Sequence, residues 1–116
     1  MNIVIIAQNK IFRESLKTVL NQIKDFDVAF DSDNFYMLEN PGSHQIQLIL
    51  IDFSMSKEKC VDIITEALRL WPSVRFLFLS DYKEEYTING IKSSDIILKN
   101  SSKKEFENKI RKQEIN

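Results

Sequence analysis

Asp52 stands where a continuous apolar run, Leu48-Ile49-Leu50-Ile51, stops at Asp52-Phe53-Ser54-Met55-Ser56. A short uninterrupted apolar run bounded by turn residues reads as a strand buried on both faces, as in a parallel sheet. Open α/β sheets bind ligands outside the carboxyl ends of their strands, so a carboxylate leaving such a strand is placed for chemistry. An Asp there also forms turns or caps a following helix, and position by itself leaves both roles open. Two further strand-like stretches end on polar groups, residues 74–79 at Ser80-Asp81 and residues 95–98 at Lys99. Cys60 and His44 are the only residues of their kinds. Cys60 falls in an apolar helical pattern and His44 in a Gly-Ser loop, so a packed thiol and an exposed imidazole are expected rather than a catalytic pair. One cysteine excludes an internal disulfide and any multi-cysteine metal site.

The elements that must position these groups alternate along the chain. Residues 2–7 read as a first buried strand. Ile11, Phe12, Leu16, Val19, Leu20 and Ile23 then share one face at helical spacing, opposite Arg13, Glu14, Lys17 and Asn21. After a Lys24-Asp25 turn, residues 26–30 form a second strand, and residues 33–39 a brief helix closed by Asn40-Pro41-Gly42-Ser43. The third strand covers residues 46–52, and a helix over residues 57–70 follows, with Cys60, Val61, Ile63, Ile64, Ala67 and Leu68 as its buried stripe. Trp71-Pro72-Ser73 stops it, since proline disfavours helical geometry in the residue before it. The fourth strand is residues 74–79, and Asp81 with Glu84 resembles a capping box opening a short helix over residues 82–89. A fifth strand spans residues 95–98, and the pair Ser102 and Glu105 opens a last helix anchored by Phe106 and Ile110.

Five strands alternating with five helices predict an α/β fold, a parallel sheet with helices on both faces. The 116 residues make one domain, and 43% hydrophobic with 28% charged residues is ordinary for a globular protein. A net charge of −1 gives no electrostatic reason to expect nucleic acid or a membrane as partner. From Lys99 onward six basic residues face three acidic ones, +3, leaving −4 for the rest; such a mild basic tail reads as a solvated helix face. Gly42 and Gly90 are the two glycines and neither sits at a strand-to-helix phosphate turn, which argues against a dinucleotide or P-loop enzyme. The opening apolar run is too short for a signal peptide and none is long enough to span a bilayer, so a cytoplasmic protein is expected.

These motifs, taken in order, resemble the receiver domain of bacterial two-component response regulators. The matching stretches are Ile11-Phe12-Arg13-Glu14-Ser15-Leu16, Leu48 to Met55, Leu77-Phe78-Leu79-Ser80 and Ile97-Leu98-Lys99-Asn100-Ser101-Ser102. The first helix and residues 98–102 are most similar to receivers that precede a LuxR-type helix-turn-helix domain; residues 1–116 are read as the receiver-like domain, with no output domain in this chain. The resemblance implies a doubly wound, flavodoxin-like (CheY-like) sheet of five parallel strands in the order 2-1-3-4-5. It also implies Asp52 as the phosphoacceptor, Ser80 and Lys99 as the phosphate-contacting positions, and Ser54 as the position whose carbonyl helps to hold magnesium.

Two departures set the functional expectation. The family's pair of metal-binding acids corresponds here to Ala7 and Gln8, and magnesium is a hard cation that wants carboxylate oxygens. Magnesium, expected in a typical family member, is therefore not expected as a cofactor here, and phosphorylation that depends on it should be slow or absent. Lys10 reads as a solvated lysine rather than a substitute charge. The switch position, usually aromatic, is Ile96, and the stretch from Tyr86 to Asp95 is shorter than the family norm. The expectation is a pseudo-receiver, not an enzyme. It would engage a protein partner through its fourth helix, fifth strand and last helix; a histidine kinase and a second copy of the chain are candidates. The alternatives are a working phosphoacceptor at Asp52 regulating a missing DNA-binding output domain, and, far behind, a small flavodoxin-like cofactor protein.

Overall fold

The computed structural model describes residues 1–34, 45–81 and 95–115. Strands β1 (Asn2–Ile6), β2 (Asp27–Ser32), β3 (Leu48–Asp52), β4 (Arg75–Ser80) and β5 (Ile96–Leu98) form one sheet in the order β2-β1-β3-β4-β5. Every neighbouring pair is parallel. Helices α1 (Lys10–Asn21), α2 (Lys57–Leu70) and α3 (Lys103–Ile115) accompany it. This is the flavodoxin-like order expected for a receiver.

The uninterrupted apolar runs are explained by two cores, one on each face of the sheet. Alternate side chains of a strand point to opposite faces. Leu48 and Leu50 of β3 pack in one core with Leu16 and Leu20 of α1 and with Phe106 and Ile110 of α3. Ile49 and Ile51 pack in the other with Cys60, Ile63 and Ala67 of α2. β1 divides in the same way, Ile3 and Ile5 to the first core and Val4 and Ile6 to the second. Each fully buried aliphatic side chain contributes about 1.5–3 kcal/mol of burial, so the central strands anchor the domain.

Local sequence sets the ends of the elements. Asn9 accepts a bond from the Phe12 amide at 3.0 Å to cap α1, and Ser56 accepts from Lys59 at 3.2 Å to cap α2. Ser102 and Glu105 form the expected reciprocal box before α3: Ser102 N donates to Glu105 Oε1 at 2.9 Å, and Glu105 N to Ser102 Oγ at 3.1 Å. Trp71 ends α2 in an extended conformation, φ −134° and ψ 87°, as its position before Pro72 requires. Asp25 takes φ 73° in the turn before β2, a left-handed conformation that Asp tolerates better than most residues.

Three expected core residues are exposed. Ile11 is 78% exposed because, at about 100° per residue, it points about 180° away from Leu20 on α1. Val61 at 48% and Leu68 at 43% lie one residue beyond Cys60 and Ala67, outside the arc of α2 that meets the sheet. β2 runs two residues past the expected Phe30, to Ser32, because its ladder continues to the end of β1 through Ile6 and Ser32. Asp33 and Asn34 form a bend; the rest of the short helix expected there, the turn at residues 40–43, His44, and the helix expected over residues 82–89 with Glu84 lie outside the described residues. So does most of the stretch read as shortened between Tyr86 and Asp95.

Equilibrium urea unfolding should separate the two classes of α2 residue. Ile63→Ala is expected to cost about 2–5 kcal/mol by leaving a cavity, and Val61→Ala less than about 1 kcal/mol.

Candidate functional site

Asp52, Ser80 and Lys99 stand at the carboxyl ends of three adjacent strands. The register pairs Asp52 with Leu79 and Ser80 with Leu98, so Ser80 ends the strand that lies between those leading to Asp52 and Lys99. Two backbone bonds extend the ladders past the strand ends: Phe53 N donates to Leu79 O at 2.8 Å, and Lys99 N to Ser80 O at 2.9 Å. The three side chains therefore start from fixed backbone positions.

The Asp52 side chain is only 2% exposed, and its Oδ1 lies 2.8 Å from Lys99 Nζ. The same oxygen accepts the Ser54 amide at 2.9 Å. Burying a carboxylate is costly unless it is paired and hydrogen-bonded, and here it is both. The Lys99 ammonium, 17% exposed, also lies 3.2 Å from Asp81 Oδ2 and sits 5.5 Å from the centre of the Phe12 ring. Burial works against its charge, but the bonds to Asp52 and then Asp81 outweigh it and hold the ammonium above its usual pKa. Cys60, a buried thiol as expected, is pushed up by burial and by the Asp52 charge, which keeps it protonated.

The positions matching the family's metal acids carry a different arrangement. Ala7 is fully buried within the core shared with α1 and α3. Its carbonyl accepts Arg13 Nη1 at 2.7 Å, while Arg13 Nε donates to Asp31 Oδ2 at 3.0 Å and Lys17 Nζ to Asp31 Oδ1 at 3.2 Å. This cluster joins α1 to the ends of β1 and β2. Burial works against the Asp31 charge, but the hydrogen bonds from Lys17 and Arg13 prevail and hold its carboxyl below the usual carboxylate range. Gln8 is exposed and brings a neutral amide. Lys10 is exposed and lies 4.0 Å from Glu14, in keeping with a solvated lysine.

This donor set is a poor match for a divalent cation. Magnesium takes near-octahedral oxygen ligands at short range. Ala7 offers no side-chain oxygen and its carbonyl already accepts a guanidinium, and among the described residues no three acidic, Cys or His groups are placed to share a metal. Ile96, at the switch position, pairs with Phe78 and packs half-buried against the core that contains α2. Two contacts are not encoded in local spacing: Arg13 lies on the polar side of α1 yet spans two strand ends, and Asp81 has the spacing of a cap yet its carboxylate meets Lys99. Asp31 is itself a carboxylate near the carboxyl end of a strand, the same signal that marked Asp52.

Two outcomes test these contacts. Lys99→Met is expected to destabilise the fold by about 3–5 kcal/mol, because a buried carboxylate is left unpaired, and adding Asp52→Asn should recover much of that loss in a double-mutant cycle. The folded-state pKa of Asp31 lies below its ordinary value of 3.8. Its contribution to stability is thus complete above that value and lost as pH falls through the folded pKa. The unfolding free-energy difference between wild type and Asp31→Asn should therefore shrink from about pH 7 to about pH 2.5.

No family model matches the chain. In sequence it is 30% identical over 92 residues to the transcriptional regulatory protein DegU of Brevibacillus brevis, an alignment that covers 78% of this chain and 39% of that relative. The chain thus spans well under half the length of this curated relative. A solved chain of the complex between a CheA3 domain and CheY6 from R. sphaeroides superposes with a TM-score of 0.78 at 15% identity, covering 99% of this chain and 97% of that one. The signal receiver domain of NarL from Mycobacterium tuberculosis superposes with a TM-score of 0.74 at 20% identity, over 96% of this chain and 93% of that one. With its 2-1-3-4-5 parallel sheet and its Asp-Ser-Lys strand ends, the chain has the fold of the receiver domain of two-component response regulators.

Proposed function

We propose that the chain is an atypical receiver, a signalling interaction module whose magnesium-dependent phosphorylation is weak or absent. The observation that carries this reading is the direct 2.8 Å pair between Asp52 and Lys99 at a site where Ala7 and Gln8 replace the metal acids. The lysine that would follow a phosphoryl group is engaged by the acceptor carboxylate itself. Phosphoryl transfer needs positive charge on the phosphoryl oxygens, and this site brings that charge from Lys99 without a good metal cradle. Output then rests on a surface held in one conformation. That surface is β5 and α3, together with the expected fourth helix, and its partner is a protein, with a histidine kinase or a second copy of the chain as candidates. The crystallised complex of a CheA3 domain with CheY6 supports a protein partner for a domain of this fold. The reading does not call on nucleic acid binding by this domain, and it places the protein in the cytoplasm; no helix among the described residues is long and apolar enough to cross a membrane.

The alternative is a working phosphoacceptor. It is favoured by the placement of Asp52, Ser80 and Lys99 at three neighbouring strand ends, and its DNA-binding output domain would lie outside this chain, as the likeness to DegU suggests.

Intact mass after incubation with acetyl phosphate, with and without magnesium, on wild type and Asp52→Ala, decides between them. The interaction module is expected to show no stoichiometric adduct under either condition. A stoichiometric adduct that needs both magnesium and Asp52 would establish the working phosphoacceptor instead.

A further inference from the structure

We infer that Asp81 is a resident anion for Lys99, competing with an incoming phosphoryl group for the ammonium and so acting as a positioning residue that restrains modification of Asp52. This deepens the reading above and rests on it. The β4–β5 register pairs Ser80 with Leu98, which carries Asp81 and Lys99 past the strand ends side by side. The Lys99 backbone is tied to Ser80 O at 2.9 Å, and its ammonium lies 2.8 Å from Asp52 and 3.2 Å from Asp81. One cation thus serves two carboxylates, one buried and one 54% exposed. Exposed ion pairs are ordinarily weak because two long side chains must be ordered to form them. Here the lysine is already held by Asp52 and the Phe12 ring, so Asp81 meets an ordered cation.

The two carboxylates also leave the triad with a net negative charge, which repels an oxyanion approaching Asp52. In the transfer that this opposes, a carboxylate oxygen of Asp52 forms a bond to the phosphorus of acetyl phosphate, the phosphorus–oxygen bond to the acetyl group breaks, and acetate leaves with the electron pair. The product carries more negative charge beside Asp81 than the reactant carboxylate did. Asp81 therefore opposes both the approach of the donor and the adduct.

The test uses the full chain as wild type, Asp81→Asn and Asp81→Glu. The Lys99 side-chain pKa is followed by carbon NMR of its ε-methylene, and the initial rate of Asp52 adduct formation from acetyl phosphate with magnesium by intact mass. The expected result is a lower Lys99 pKa in Asp81→Asn, restored in Asp81→Glu, with labelling of Asp81→Asn about two- to five-fold faster than wild type, the factor an ion pair this exposed supplies. An unchanged Lys99 pKa in Asp81→Asn, or labelling of Asp81→Asn equal to or slower than wild type, would overturn the role of Asp81; where no form is labelled, the Lys99 pKa alone decides. Failure of the pseudo-receiver reading shows elsewhere, as a stoichiometric magnesium-dependent adduct on the wild type, whatever the ratio between variants.

Discussion

A carboxylate buried to 2% exposure needs a partner, and the pairing of Asp52 with Lys99 is the contact on which the rest of the site depends. It joins the end of β3 to the residue after β5, across the strand that ends in Ser80. The sheet makes this possible through order alone, since residues distant in sequence become neighbours at one edge when parallel strands stack in the sequence 2-1-3-4-5. The apolar runs that build the sheet thus also decide which polar residues meet. A second ionic cluster, Arg13 with Asp31 and Lys17, holds α1 against the ends of β1 and β2. Between them the two clusters bring fixed charge to the rim at the carboxyl ends of the strands.

Much of this was legible in the sequence because strands buried on both faces leave uninterrupted apolar runs. Leu48 to Ile51 and Leu77 to Leu79 could be read directly, and the turn residues after them marked Asp52 and Ser80. The S-x-x-E pair before α3 worked because capping is local, needing only the spacing of Ser102 and Glu105. Helix faces were read less well. A hydrophobic residue at the border of an apolar arc looks the same in sequence as one at its centre, and Val61 and Leu68 fall on the exposed side of that border.

The ionic contacts were hidden for another reason. Arg13 meets Asp31 across a helix-to-strand packing that periodicity does not encode, and its side chain reaches around the helix to the carbonyl of Ala7. Lys99 and Asp81 come together only through the register of β4 and β5. Long polar side chains act at a distance from their backbone, so the solvent face assigned from helical spacing says little about where a guanidinium ends.

The burial of Ala7 decides which substitutions this rim admits. Its side chain belongs to the core that also holds Ile5, Leu16 and Leu79, whereas Gln8 beside it is exposed. An acid placed at position 7 would enter an apolar core and cost the fold dearly, while the same change at position 8 would be nearly silent. An acid is therefore admitted at position 8 far more readily than at position 7.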